Sequence, residues 1–288
     1  MRSTDYNRNM RAGFHVSITG GLPKAVDRAV ERGCEAMQVF VSNPRGWKHS
    51  DILPSDIAAF RARCEEEGIN PVFVHTIYLI NLAAPSPEIR ERSTDALVMN
   101  MRAAAALGSS AVVTHVGSHG GEGEDIGIAR VVASLQAAFA RCEGPVPILL
   151  ETTAGSGNSV GHGFSQLGRI VKAFAGDVRL GLCLDTCHAF AAGYELRTEQ
   201  GLRETLEELE REVGLERLKL IHANDSKGDL GSRLDRHEHI GEGKLGKGAF
   251  ALMAGHPALG DLPWILETPG RSADMDRENL RRLRSFVP

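Results

Sequence analysis

Nine residues of two chemical kinds could act together in this sequence: His75, His115, Glu151, Asp185, His188, His222, Asp235, His237 and Glu267. The densest stretch is HANDSKGDLGSRLDRHEH, from His222 to His239, which places three His, four carboxylates and three basic residues in a Gly- and Ser-containing segment. A solvated linker carries charge but has no need of three His. A metal site needs them, together with ligands from elsewhere in the chain. One His at the end of a strand is ordinarily a polar residue with a hydrogen-bonding partner. Four carboxylates gathered in one pocket are different, because they repel and raise one another's pKa unless cations compensate. His and carboxylate together suit zinc, with manganese or iron as alternative occupants of part of the cluster. Nine groups exceed the needs of one tetrahedral ion and suffice for two or three, if a carboxylate bridges and water completes the shells. Ions ~3.5–4 Å apart favour phosphoryl chemistry, and three divalent ions would reverse the formal net charge of −4.

The elements that must position these groups are legible as a rhythm. Short apolar runs recur at 13–18 (GFHVSI), 36–41 (AMQVFV), 71–76 (PVFVHT), 111–117 (AVVTHVG), 147–152 (PILLET), 180–186 (LGLCLDT), 218–225 (LKLIHAND) and 264–270 (WILETPG). They are short, rich in β-branched residues or Leu, and not cleanly alternating, as parallel strands buried on both faces are. Longer amphipathic segments separate them. SPEIRERSTDALVMNMRAAAALG has apolar residues at helical spacing and Gly108 as a stop, and GIARVVASLQAAFARC and LRETLEELEREVG behave similarly. Eight strand–helix units predict an α/β fold, a single (β/α)8 TIM barrel, with its chemistry at the C-terminal ends of the strands. A doubly wound sheet is the alternative, but no GxGxxG or P-loop stands at a strand end. Neither a linker nor a low-complexity tract divides the chain, so residues 1–288 are expected to form one domain, with 1–12 as an N-terminal extension.

The composition, 42% hydrophobic and 24% charged, is that of a globular protein with a sizeable core. A net charge of −4 excludes a generally basic nucleic-acid binder, and any polyanion contact must come from a local patch. No apolar run approaches the ~18 residues of a membrane span, and MRSTDYNRNMRAGF lacks the apolar segment of a signal peptide. Five scattered Cys without a CxxC pair predict reduced thiols and a cytoplasmic protein.

LDTCHAFAAGYELRT (184–198), IHANDSKGDLGSRLDRHEHIGEG (221–243) and HTIYLINLA (75–83) resemble endonuclease IV, the zinc-dependent family of apurinic/apyrimidinic endonucleases. The resemblance extends from about Gly13 to about Pro269. It implies a barrel that cleaves double-stranded DNA on the 5′ side of an abasic site, leaving a 3′-hydroxyl and a 5′-deoxyribose phosphate. It implies three zinc ions: one on His75, His115 and Glu151; a second on Glu151, which bridges, with Asp185, His222 and Glu267; a third on His188, Asp235 and His237. In the family a hydroxide between the first two ions attacks phosphorus in line, which makes Glu151 and Glu267 the catalytic carboxylates.

The same resemblance assigns DNA contacts. Arg45, in SNPRGWKH after the second strand, matches an Arg that enters the duplex where the base is missing, and Trp47 stands beside it. Tyr78 matches a residue that contacts the opened duplex, and Leu79 follows it; aromatic and apolar wedges fill the space an unstacked nucleotide leaves. Lys227, Arg233 and Arg236 either contact flanking phosphates or are solvated surface charges. His15 resembles a site-lining His and would support a ligand by hydrogen bonding. His119, His162 and His239 fall outside the ligand pattern, His49 and His256 read as surface residues, and Asn224 and Asp225 as braces of their loop. The sequence departs from the usual family pattern at Thr76, Ile77, Val116 and Thr152, none of which removes a ligand. A metal-dependent sugar isomerase or epimerase on a related barrel is the competing function, and a non-catalytic zinc scaffold a third. The catalytic face would be complete in one chain, so a monomer with no obligate protein partner and no membrane is expected.

Overall fold

The computed structural model describes residues 10–48, 52–142, 144, 146–174, 177–270 and 272–287. Eight parallel strands close into a barrel: β1 (Ala12–Val16), β2 (Ala36–Phe40), β3 (Val72–His75), β4 (Ala111–Thr114), β5 (Ile148–Glu151), β6 (Leu180–Asp185), β7 (Leu218–His222) and β10 (Trp264–Leu266), which pairs back onto β1. Each of the eight apolar runs supplies one strand, shorter than the run itself because the polar residues at its end turn into the loops. Two further strands, β8 (Asp225–Ser226) and β9 (His237–Glu238), form a small antiparallel sheet on the C-terminal side. The seventh strand ends at His222, as its ligand position requires, whereas His237, expected in a loop, lies in β9, whose ladder with β8 holds the second half of the His-rich segment.

Helices α1 (Leu22–Arg32), α2 (Pro54–Glu66), α3 (Pro87–Leu107), α4 (Glu124–Arg141), α5 (Phe164–Lys172), α6 (Thr186–Ala192), α7 (Glu199–Glu212), α8 (Gly246–Gly255) and α9 (Ala273–Arg284) surround the barrel. Their ends follow local chemistry. Ser86 Oγ accepts from Ile89 N at the start of α3, and Gly108 ends that helix in the left-handed conformation at φ 71°. Thr198 caps α7 and Ser272 caps α9 in the same way as Ser86. The α4 and α7 helices begin about one turn before the apolar periodicity shows, because their first turns are acidic and polar.

Two hydrophobic layers result. Between strands and helices lie Trp264, Phe60, Phe164, Phe190, Phe250, Leu97, Met101 and Leu135, all fully buried. Inside the barrel lie Ala36, Phe73, Ala111, Val113, Leu149, Cys183, Leu220 and Ile265. Residues Met10 to Ala12, read as part of an extension, belong to the barrel: Ala12 starts β1, Met10 is buried, and Arg11 Nη2 donates to the Gly68 carbonyl at 2.6 Å. Residues 1–9 lie outside the described residues, as does His49. Among the described residues no helix is long and apolar enough to cross a membrane.

Candidate metal centre

Side chains alternate along a strand, so residues two apart face the same way. Applied to the inner apolar layer, this rule builds the site. Phe73 is followed by His75, Val113 by His115, Leu149 by Glu151, Cys183 by Asp185, Leu220 by His222 and Ile265 by Glu267. The ionisable groups are therefore the next layer up inside the barrel, at its C-terminal mouth. Gln38, two after Ala36, and His15, two after Gly13, complete the ring. The remaining three arrive by other routes. Asp185 caps α6, accepting from His188 N at 2.8 Å, so His188 sits on the first helical turn three residues on. Asp235 and His237 come in on the segment that ends in β9.

Their atoms converge. His75, His115 and Glu151 form one group, Glu151, Asp185, His222 and Glu267 a second, and Asp185, His188 and His237 a third, with ligand atoms in each group within 4.8 Å of one another. Glu151 belongs to two groups. So does Asp185, which the family resemblance assigns to the second alone; its Oδ2 lies 3.8 Å from His237 Nε2. Asp235, half-exposed, closes the third group, with Oδ1 3.2 Å from His188 Nε2 and 3.3 Å from His237 Nε2. The groups open into a cleft of about 1090 Å³ lined among others by Tyr78, Arg236 and Asn43.

The imidazoles show what kind of group this layer fits. His75 Nδ1 donates to the Thr76 carbonyl at 2.7 Å, His188 Nδ1 to the Thr152 carbonyl at 2.8 Å, and His237 Nδ1 to the Glu267 carbonyl at 3.1 Å. A carbonyl only accepts, so each of these nitrogens carries the proton and the other presents a lone pair inward. Those lone pairs face carboxylates: His75 Nε2 is 3.0 Å from Glu151 Oε2, and His188 Nε2 and His237 Nε2 face Asp235. His188 Nε2 and His237 Nε2 are buried without a hydrogen bond. A lone pair against a carboxylate is repulsive unless a cation or proton lies between them. The donor set and these unpaired nitrogens fit divalent metal ions.

Without metal, protons take that place. Burial opposes the charged forms of His188 and His222, but neighbouring carboxylates outweigh it, Asp185 foremost for His188 and Glu267 with Glu151 for His222, and both are raised well above the ordinary imidazole range. Burial likewise opposes charge on His237, yet the Asp235 carboxylate 3.3 Å away and the charge of Asp185 push it up to about 9. Burial would raise the Glu151 carboxyl, but His115 and His222 hold it well below its usual value. Glu267 is lowered in the same way, chiefly by His222 and His15.

Supporting residues fix the layer. His15 Nδ1 lies 2.9 Å from Glu267 Oε1. Asn224 Nδ2 donates to Asp185 Oδ2 at 2.7 Å while its Oδ1 accepts from Glu267 N at 2.8 Å, tying the Asp185 carboxylate to the backbone of Glu267. Thr152 Oγ1 accepts from Asp185 N, and Thr76 Oγ1 donates to Thr114 Oγ1, so two of the departures from the family pattern take up hydrogen bonds beside the cluster. Asp225 is no candidate ligand: its buried carboxylate accepts from the backbone N–H of Gly241, Gly243 and Leu245 and braces that loop. His239 and His119 serve structure too, His239 with Asn279 and His119 accepting from Gly121 and Gly123. Gln38 was missed in the sequence, although a Gln inside the apolar strand AMQVF was the available signal. Its amide touches His15, Glu267 and His222.

Around the mouth, Arg45, Lys227, Arg233 and Arg236 are exposed, as are Tyr78 and Leu79 at 64% and 36%. Arg233 adopts φ 56°, the left-handed conformation, with its N–H held by the Ala191 carbonyl. Tyr78 stands edge-on to Phe40 at 5.2 Å. Trp47 is half-buried against the core, with the Arg92 guanidinium 4.8 Å over its ring.

Fold and site together define a TIM barrel with a multi-ligand His/carboxylate mouth, and the family model described as xylose isomerase-like TIM barrel matches residues 26–286. Two relatives named "Probable endonuclease 4" are 47% identical (Methanoculleus marisnigri, 96% of this chain and 98% of that protein) and 44% identical (Halothermothrix orenii, 95% and 99%). The crystal structure of endonuclease IV from Thermus thermophilus superposes with a TM-score of 0.85 at 40% identity, over 96% of this chain and 98% of that one. A D-tagatose 3-epimerase-like protein shares the fold, with a TM-score of 0.73 at 19% identity. The chain belongs to the endonuclease IV family.

Proposed function

We propose that this chain is a zinc-dependent DNA-repair endonuclease that hydrolyses the phosphodiester 5′ to abasic sites in double-stranded DNA, giving a 3′-hydroxyl and a 5′-deoxyribose phosphate. It acts as a cytoplasmic monomer. The observation that carries the reading is the inward-facing set of imidazole lone pairs and carboxylates, fixed from outside by carbonyl acceptors. His75, His115 and Glu151 would hold one zinc, Glu151, Asp185, His222 and Glu267 a second, and His188, Asp235 and His237 a third, with Asp185 between the last two. When bound, zinc supplies Lewis-acid charge for a phosphate and a nucleophile from water at neutral pH.

The chain's own groups do the rest. Glu151 and Glu267 are buried or nearly so and stay ionised, which keeps ligand charge at the centre of the cleft. Arg45, Lys227, Arg233 and Arg236 offer cations to backbone phosphates, a local patch on a chain of net charge −4. Tyr78 and Leu79 present an exposed aromatic–apolar pair that can enter a duplex where a base is missing. A sugar epimerase has no evident use for this rim, nor for a third group of ligands. The test is metal content beside cleavage. Purified protein should hold about three zinc ions per chain, and chelation should abolish cutting of a duplex with one abasic site, with zinc restoring it. One ion per chain and no cutting would favour the sugar enzyme.

A further inference from the structure

We propose that Gln38 is a positioning residue that sets which nitrogen of His222 faces the metal cluster, by relaying the fixed charge of Glu267. The inference deepens the metal reading above and rests on it. Three of the candidate ligand imidazoles, His75, His188 and His237, have their outward nitrogen tied to a backbone carbonyl. The backbone cannot easily present another acceptor, so their orientation is built into the fold. His222 differs: its outward nitrogen, Nε2, meets a side chain, Gln38 Oε1, at 3.0 Å.

An amide can point either way, and here its direction is decided. Gln38 is completely buried, and its Nε2 lies 2.9 Å from Glu267 Oε1. An ionised carboxylate only accepts, so the amide NH2 must face Glu267 and the amide oxygen must face His222. That oxygen in turn requires a proton on His222 Nε2. Nδ1 is then the lone-pair nitrogen, and it points inward, 3.0 Å from Glu151 Oε1 and 3.5 Å from Glu267 Oε2. The relay runs from one carboxylate of the second ligand group, through Gln38, to the imidazole of the same group. It also holds Glu267 Oε1, which His15 Nδ1 approaches at 2.9 Å, leaving Oε2 turned toward His222.

Two substitutions separate the parts of this relay. Gln38→Met keeps length and removes both polar groups. Gln38→Glu keeps an acceptor for His222 and removes the donor to Glu267. In zinc-loaded, 15N-histidine-labelled protein, the 15N shifts of His222 identify the nitrogen bearing the proton, and competition with a chromophoric chelator measures zinc affinity. Wild type should show the proton on Nε2. Gln38→Met should lose that signature and bind one of its zinc ions about 10–100-fold more weakly, while Gln38→Glu should keep the Nε2–H signature. Gln38→Met with both the wild-type signature and wild-type zinc affinity would overturn the role. If Gln38→Met does not fold, loss of the His222 signature in folded Gln38→Glu would overturn it. Wild-type protein that takes up no zinc would instead overturn the metal reading beneath it.

Discussion

At the scale of single residues, the cluster stores repulsion that a cation relieves, and this has consequences for proton linkage. His237 holds its proton up to about 9 in the metal-free protein, against an ordinary 6.5. A raised imidazole pKa stabilises the fold fully below 6.5, and that contribution is lost as pH rises through 9. Glu151, Asp235 and Glu267, all held below the usual carboxylate range, are already ionised across that window and add no slope. Metal-free protein should therefore lose stability from pH 6.5 to 9, while zinc, which must displace the same proton, binds more tightly. Thermal melts with and without zinc across this range check both signs. Glu151 sits in two ligand groups and contacts four imidazoles. Losing a group that merely orients a ligand costs 10–100-fold, so Glu151→Gln should lower cleavage by more than about a hundredfold and reduce bound zinc. Near-normal kcat/KM with full metal content would remove Glu151 from the centre.

At the scale of elements, function depends on how loops are pinned above the strands. The Asp225 carboxylate gathers N–H groups from Ser226, Gly241, Gly243, Leu245 and Gly246, joining β8 to the loop before α8. Each buried donor left unpaired costs ~1–3 kcal/mol, so Asp225→Ala should destabilise the protein by about 3 kcal/mol or more, measured by denaturant unfolding. An effect below about 1 kcal/mol would show that the loop is held otherwise. The loop after β2 carries exposed Arg45. Arg45→Ala should weaken binding to abasic duplex and reduce the slope of affinity against salt by about one, with zinc content unchanged; equal binding at every salt concentration would return Arg45 to the solvated surface.

Much of this was readable beforehand, for identifiable reasons. Parallel strands buried on both faces leave dense apolar runs, and ligands at strand ends stand at their edges, so His75, Glu151, Asp185 and His222 announced their own positions. The small sheet of β8 and β9 was not readable, since strands of two residues have no periodicity. Nor was the packing of Trp47, because Arg92 lies far away in sequence on α3. Gln38 escaped because a single polar residue in an apolar run carries no partner information. Only closure of the barrel brings β2 beside His222 and Glu267.

At the scale of the whole molecule, the barrel separates a dry interior from a charged mouth. All five cysteines are free and buried, and burial pushes Cys34, Cys64, Cys183 and Cys187 up to about 12. In native protein at pH 8 they should resist a thiol reagent, and all should react once denaturant is added; fast native reaction would mean the barrel opens readily. The mouth collects the groups of six consecutive barrel strands into one cleft. The reaction proposed for this mouth is hydrolysis of a phosphodiester beside a missing base. The most direct test is a duplex carrying one chemically stable abasic analogue, given to zinc-loaded protein without added magnesium. The analogue cannot undergo β-elimination, so only hydrolysis can cut it. A single cut 5′ to the lesion, leaving a 3′ end that a polymerase extends, is the predicted result. An uncut duplex in the presence of folded, fully loaded protein would contradict it.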